Sequence, residues 1–131
     1  MVKIVTDSAC DIPPALAEVR GISIVPLRIR FGPQELEDRT ELSPAEFWRR
    51  CAEGTALPQT AAPSPGAFGE AFQQARHDGH DALLCLTISA KLSGTHQSAI
   101  TAANDASGIE VAVLDTETVT MGQGLVVLAA A

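Results

Sequence analysis

The chain has 131 residues, 46% of them hydrophobic and 19% charged, far from the charge-rich, apolar-poor composition that keeps a segment disordered. A chain of this length can bury one core without metal or disulfide staples. Nine Lys and Arg stand against sixteen Asp and Glu, a net charge of -7, so the basic footprint of a nucleic-acid binder is missing and DNA, RNA and anionic membranes are poor expectations as partners.

The acidic balance shifts along the chain: residues 1–80 carry eight cations and eleven anions, whereas residues 81–131 carry Lys91 against five acids. Three cysteines, Cys10, Cys51 and Cys85, show no C-x-x-C spacing, which argues against a disulfide framework or a zinc knuckle and fits a reducing cytoplasm. The β-branched run that opens the chain meets Asp7 at once and cannot be the apolar core of a secretion signal. The longest apolar run, Gly124 to Ala131, is far short of the roughly 20 residues that span a bilayer, so no stable membrane insertion is expected.

In chain order, Val2 to Thr6 reads as a buried strand, and Asp7, Ser8 and Asp11 before Pro13-Pro14 offer a cap and a first-turn proline for a helix over Ala15 to Arg20 that Gly21 ends. Ile22 to Phe31 reads as one strand, buried at first and half exposed after Leu27, followed by a turn at Gly32-Pro33 and an edge strand or hairpin around Glu35 to Asp38. Ser43-Pro44-Ala45-Glu46 is a capping box with proline at the first helical position and predicts a helix to Glu53. Thr55 to Pro65 holds three prolines and reads as an extended loop, and Ser64-Pro65 starts a helix to about Asp78. A central strand over Asp81 to Thr87, a helix from His96 to Ala106, a buried strand over Ile109 to Asp115 and a Gly, Val and Ala-rich helix complete the pattern. Strands that alternate with helices and read as continuous apolar runs predict an α/β fold, with a mostly parallel sheet covered on both faces.

In such sheets ligands sit beyond the carboxyl ends of the strands. That rule selects Thr6-Asp7-Ser8, Ser89 to Thr95 and Asp115 to Thr120, all rich in hydroxyls, poor in cations and leading into helices whose free N–H groups favour an anion. A small anionic group held by hydroxyls and N–H groups is the expected ligand feature.

Five motifs resemble the DegV family of bacterial fatty-acid-binding proteins. Val5-Thr6-Asp7-Ser8-Ala9-Cys10-Asp11-Ile12-Pro13 is similar to its T-D-S-x-x-D-[LI]-P signature, and Val25-Pro26-Leu27-Arg28-Ile29 with Asp38 to its V-P-L-x-[IV] strand and following aspartate. Gln59 to Gly66 resembles T-S-Q-P-S-P-G, Leu92 to Ala99 resembles L-S-G-T-Y-Q-S-A, and Asp115-Thr116 with Met121-Gly122-Gln123-Gly124 resembles D-[ST]-x-x-x-S-x-G-x-G. The resemblance implies a carrier, not an enzyme: it buries a long-chain fatty acid and presents its carboxylate to a separate fatty acid kinase catalytic subunit for acyl phosphate formation and phospholipid synthesis. No cofactor is implied. Thr60 and Ser93 fall on the carboxylate-binding hydroxyl positions, and Gly94 would let backbone approach the carboxylate closely; Ser8, Thr95 and His96 are expected as weaker contacts, and Ile88, Leu92 and Met121 along the apolar tail.

The chain departs from the family pattern where Ala61 and Ala62 replace the serine and glutamine after Thr60, and where His96 replaces an aromatic residue. Family members run to about twice this length, a size at the generous end of one domain, so residues 1–131 are expected to be an N-terminal part whose C-terminal domain is missing. Asp7 serves either the ligand or the cap of the first turn, and His96 either touches the ligand or packs near the sheet edge. His77 and His80 straddle the Gly79 helix end with no cysteine beside them, which argues for a solvated terminus and against a metal. Ser93 with His96 lacks the G-x-S-x-G elbow of a serine hydrolase. Two other functions stay open on the residues alone: a phosphoryl-transfer enzyme of α/β fold, which would lack G-x-x-x-x-G-K-[ST], and self-assembly through the apolar C-terminal helix.

Overall fold

The computed structural model describes residues 2–54 and 57–131. Strand β1 (Val2–Asp7) runs into a 3-10 turn, Ser8–Cys10, and helix α1 (Pro14–Val19), which starts on a proline at its first position. Gly21 takes φ +63° and closes α1, while the N–H groups of Gly21 and Ile22 return to the carbonyls of Glu18 and Ala17. Then follow β2 (Ser23–Val25), β3 (Arg28–Phe31), β4 (Gln34–Glu37), α2 (Pro44–Glu53), β5 (Gln59–Ala61), α3 (Pro65–His77), β6 (Ala82–Thr87), α4 (Thr95–Asp105), β7 (Glu110–Asp115) and α5 (Met121–Ala130).

Two sheets result. The first is fully parallel in the order β2-β1-β6-β7, with Val5 opposite Ser23 and Cys85, and Cys85 opposite Val113. Its side chains alternate between two cores, as a strand period of two requires. Val5, Val25, Leu83 and Cys85 pack against Phe68, Phe72 and Ala75 of α3 and Ala99 and Ala102 of α4. Ile4 and Leu86 pack on the other side against Ile12, Ala17, Ile22 and Val127 of α5. The α/β reading with helices on both faces therefore holds.

The second sheet, antiparallel in the order β4-β3-β5, departs from the sequence reading in two places. Ile22 to Phe31 is not one strand: Pro26 has no N–H for the ladder, β2 ends at Val25, and β3 restarts at Arg28 in the other sheet. The stretch read as loop holds β5, whose three residues fit between Pro58 and Pro63 and pair with β3, Thr60 opposite Ile29. Thr55 and Ala56 of that stretch lie outside the described residues. The expected cap of α1 also differs: α1 has no side-chain cap, Asp7 caps the 3-10 turn by accepting from Ala9 N, and Asp11 sits at φ +54° in an ion pair with Arg39. The caps at Ser43 and Ser64 form as predicted, each hydroxyl accepting an N–H three residues on, while the Glu46 carboxylate of the expected capping box turns to Arg49 and Arg50. Among the described residues no helix is long and apolar enough to cross a membrane.

Candidate functional site

The carboxyl ends of β1, β6 and β7 are tied together by two aspartates with the same task. Asp7 accepts from Ala9 N at 3.0 Å and from Ile88 N at 2.8 Å, joining the end of β1 to the loop after β6. Asp115 accepts from Glu117 N at 2.9 Å and Ala90 N at 3.2 Å, joining that loop to the end of β7. Burial pushes the Asp7 carboxyl up from its ordinary value, with the two N–H groups and Gln123 opposing. Half-buried Asp115 is held low, chiefly by the Glu117 N–H. Ser89 N donates to Thr118 O at 2.9 Å and Thr116 Oγ1 to Thr87 O at 2.8 Å, so all three loops form one rigid shelf.

On this shelf Ser93 shares a hydrogen bond of 2.8 Å with the Thr95 hydroxyl and accepts from Thr95 N at 3.2 Å. Thr95 is fully buried, Ser93 half-buried and Gly94 exposed; a Cβ on Gly94 would meet nothing within 4 Å. The space over the start of α4 is therefore open to an approaching group. His96 Nδ1 lies 2.9 Å from the buried Thr87 hydroxyl, so its orientation is set by the strand end. Ile88 is buried behind the shelf, whereas Leu92 and Met121 are 64% and 38% exposed and available to an apolar partner.

Thr60 and Ser8 sit elsewhere, together. Both line a cavity of about 260 Å³ between the second sheet, α2 and the end of β1. Ser8 is buried and donates to Asp38 Oδ2 at 2.6 Å while accepting from Leu27 N at 3.0 Å, which seats the second sheet on β1. Thr60 is exposed on β5, and among the described residues no hydrogen bond links it to Ser93. Two sets thus emerge: Ser93, Gly94, Thr95 and His96 on the shelf, and Ser8 with Thr60 in the cavity.

Reading the sequence alone misses the cavity's aromatic wall, Phe47 and Trp48 of α2, and the Asp38–Arg39 corner. The amphipathic pattern of α2 signals an apolar face, but nothing local says which cavity it meets. Thr120 also lines the cavity, with φ +56° and ψ -144°, a backbone region that a β-branched residue rarely enters and that recurs where structure is held for function. A larger opening of about 700 Å³ between α3 and α4 holds none of the sequence-predicted residues. Among the described residues no group of three or more His, Cys, Asp and Glu could hold a metal ion, and His77 and His80 are no exception.

Comparison with known proteins gives consistent results. A DegV domain-containing protein of Deinococcus radiodurans is 42% identical over 130 residues, 99% of this chain and 46% of the relative. A DegV family protein of Thermus thermophilus, solved for its fatty acid binding, is 39% identical with a TM-score of 0.89 over 98% of this chain and 45% of its own. A stearic-acid-binding protein of Eubacterium ventriosum is 29% identical with a TM-score of 0.87, over 97% of this chain and 45% of its own. The chain thus spans about half the length of the relatives it matches. The profile of the family described as uncharacterised protein, DegV family, matches residues 1–131 in full, and the chain belongs to the DegV family.

Proposed function

We propose that this chain is the fatty-acid-binding part of a carrier that holds a long-chain fatty acid and presents its carboxylate to a separate kinase subunit, which phosphorylates it to an acyl phosphate for phospholipid synthesis. The observation that carries this reading is the likeness, at 39% identity and a TM-score of 0.89, to a Thermus thermophilus protein solved for fatty acid binding. On this reading the carboxylate sits where the shelf borders the cavity, at Val119 and Thr120, so that Ser93 and the backbone at Gly94 donate from one side and Thr60 from the other, with Ser8, Thr95 and His96 around it. Hydroxyls and N–H groups suit the task, because they stabilise the anion without a buried countercharge. Leu92 and Met121 meet the alkyl chain, with Ile88 packed behind the shelf. Burial of each methylene contributes about 0.8 kcal/mol, so the chain dominates affinity and the head-group contacts orient. An exposed Thr60 and an open Gly94 leave the carboxylate within a partner's reach.

Native mass spectrometry of the purified protein, followed by denaturing extraction, tests the reading. Expected is a co-purified long-chain fatty acid that is lost in Ser93→Ala. A full-length protein that carries no fatty acid and takes none up overturns it.

A further inference from the structure

Trp48 is out of place for a large apolar side chain. It is 68% exposed, yet it lines the 260 Å³ cavity beside the Thr60 hydroxyl. No residue of α2 is buried. What holds the helix is mostly within itself: the Ser43 cap, and the ion pairs of Arg49 with Glu46 and Glu53 and of Arg50 with Glu46. Toward the second sheet it has an aromatic stack, Trp48 edge-on to Phe47 at 5.0 Å between centroids and Phe47 tilted on Phe31 at 5.9 Å, with Arg50 over Phe31 and bonded to Gln34. Such a helix can adjust its position without breaking its own contacts, and an element with no buried side chain belongs to the low end of local stability. The cavity alone is smaller than the roughly 300–1,000 Å³ of small-molecule sites, so a long alkyl chain that enters it extends past its walls.

We propose that Trp48 is a ligand-contacting residue: its indole closes over the alkyl segment next to the Thr60 hydroxyl, making α2 an aromatic cover for the bound chain. This rests on the fatty-acid reading above. Covering the exposed indole and the methylenes beneath it removes apolar surface from both at once.

The test is a titration of the full-length protein with hexadecanoate, following tryptophan emission and acrylamide quenching, with uptake scored separately by native mass spectrometry. Trp48 is the only tryptophan of the 131 residues, and a Trp48→Phe variant assigns the signal. Expected are a blue shift and protection from quencher that track uptake, about tenfold weaker binding in Trp48→Ala, and affinity within about threefold of the parent in Trp48→Phe. Uptake with unchanged emission and quenching, or full affinity in Trp48→Ala, overturns the role of Trp48 and leaves the carrier reading standing. Failure of the protein to take up hexadecanoate or any other long-chain fatty acid overturns both.

Discussion

At the scale of single residues, the shelf owes its shape to buried and half-buried polar groups that have found partners. On the proposed reading, replacing Ser93 or Thr60 by alanine removes one donor to the carboxylate, worth about 1.5–3 kcal/mol. Ser93→Ala and Thr60→Ala are each expected to weaken fatty acid binding by roughly ten- to a hundredfold in a direct titration; Thr60→Ala should leave thermal stability nearly unchanged, whereas Ser93→Ala also strips the buried Thr95 hydroxyl and N–H of a partner and should lower stability by about 1–3 kcal/mol. Asp7 acts on the fold. Its carboxyl is raised above 3.8 by burial, so the folded state holds that proton more tightly than the unfolded one. The contribution is therefore present below pH 3.8 and lost as pH rises through the folded value. Urea unfolding of the parent and of Asp7→Asn at a series of pH values should show the parent's stability relative to the variant falling from about pH 4 upward. The His96–Thr87 contact and the Ser8–Asp38 bond span 9 and 30 residues, and no local motif announces the second.

Among the elements, α2 is the one whose stability is local. Ser43→Ala deletes its cap, a loss of about 1 kcal/mol, and with no buried residue to anchor the helix the loss should appear as faster amide exchange confined to residues 44–53. Glu46, held at about 2 by hydrogen bonds from Arg49 and Arg50 against an ordinary 4.5, adds a pH dependence of the opposite sign to that of Asp7. Its support is present above pH 4.5 and lost as pH falls toward 2; amide exchange in α2 should therefore accelerate over that range, and added salt should shrink the effect. The helix caps at Ser43 and Ser64 are legible because a cap and its partner lie three residues apart. Strand β5 is not, because three residues between prolines acquire strand geometry only by pairing with β3, about 30 positions away.

For the molecule as a whole, stability rests on the core between the parallel sheet and the α3–α4 layer. Phe68 and Phe72 are fully buried there with ring centroids 6.1 Å apart. Phe68→Ala should cost about 3–5 kcal/mol and lower the melting temperature by roughly 10–20 °C, read by calorimetry. Fatty acid at a hundred times its Kd should raise stability by about 2.7 kcal/mol if the ligand binds only the folded state.

The sequence by itself determined the α/β class, the order of most elements, the helix starts and the three strand-end loops where polar residues gather. Each of these is written in periods of two or 3.6 residues and in caps that act within one turn. Only the tertiary structure decided that Val25 and Arg28 belong to different sheets, that Gln59 to Ala61 is a strand, and that Ser8 shares a cavity with Thr60, Trp48 and Thr120 while Ser93 stands on the shelf beside it. Those facts depend on pairings between residues far apart in sequence. Their stabilisation appears only when the chain has closed on itself, so no local signal encodes them.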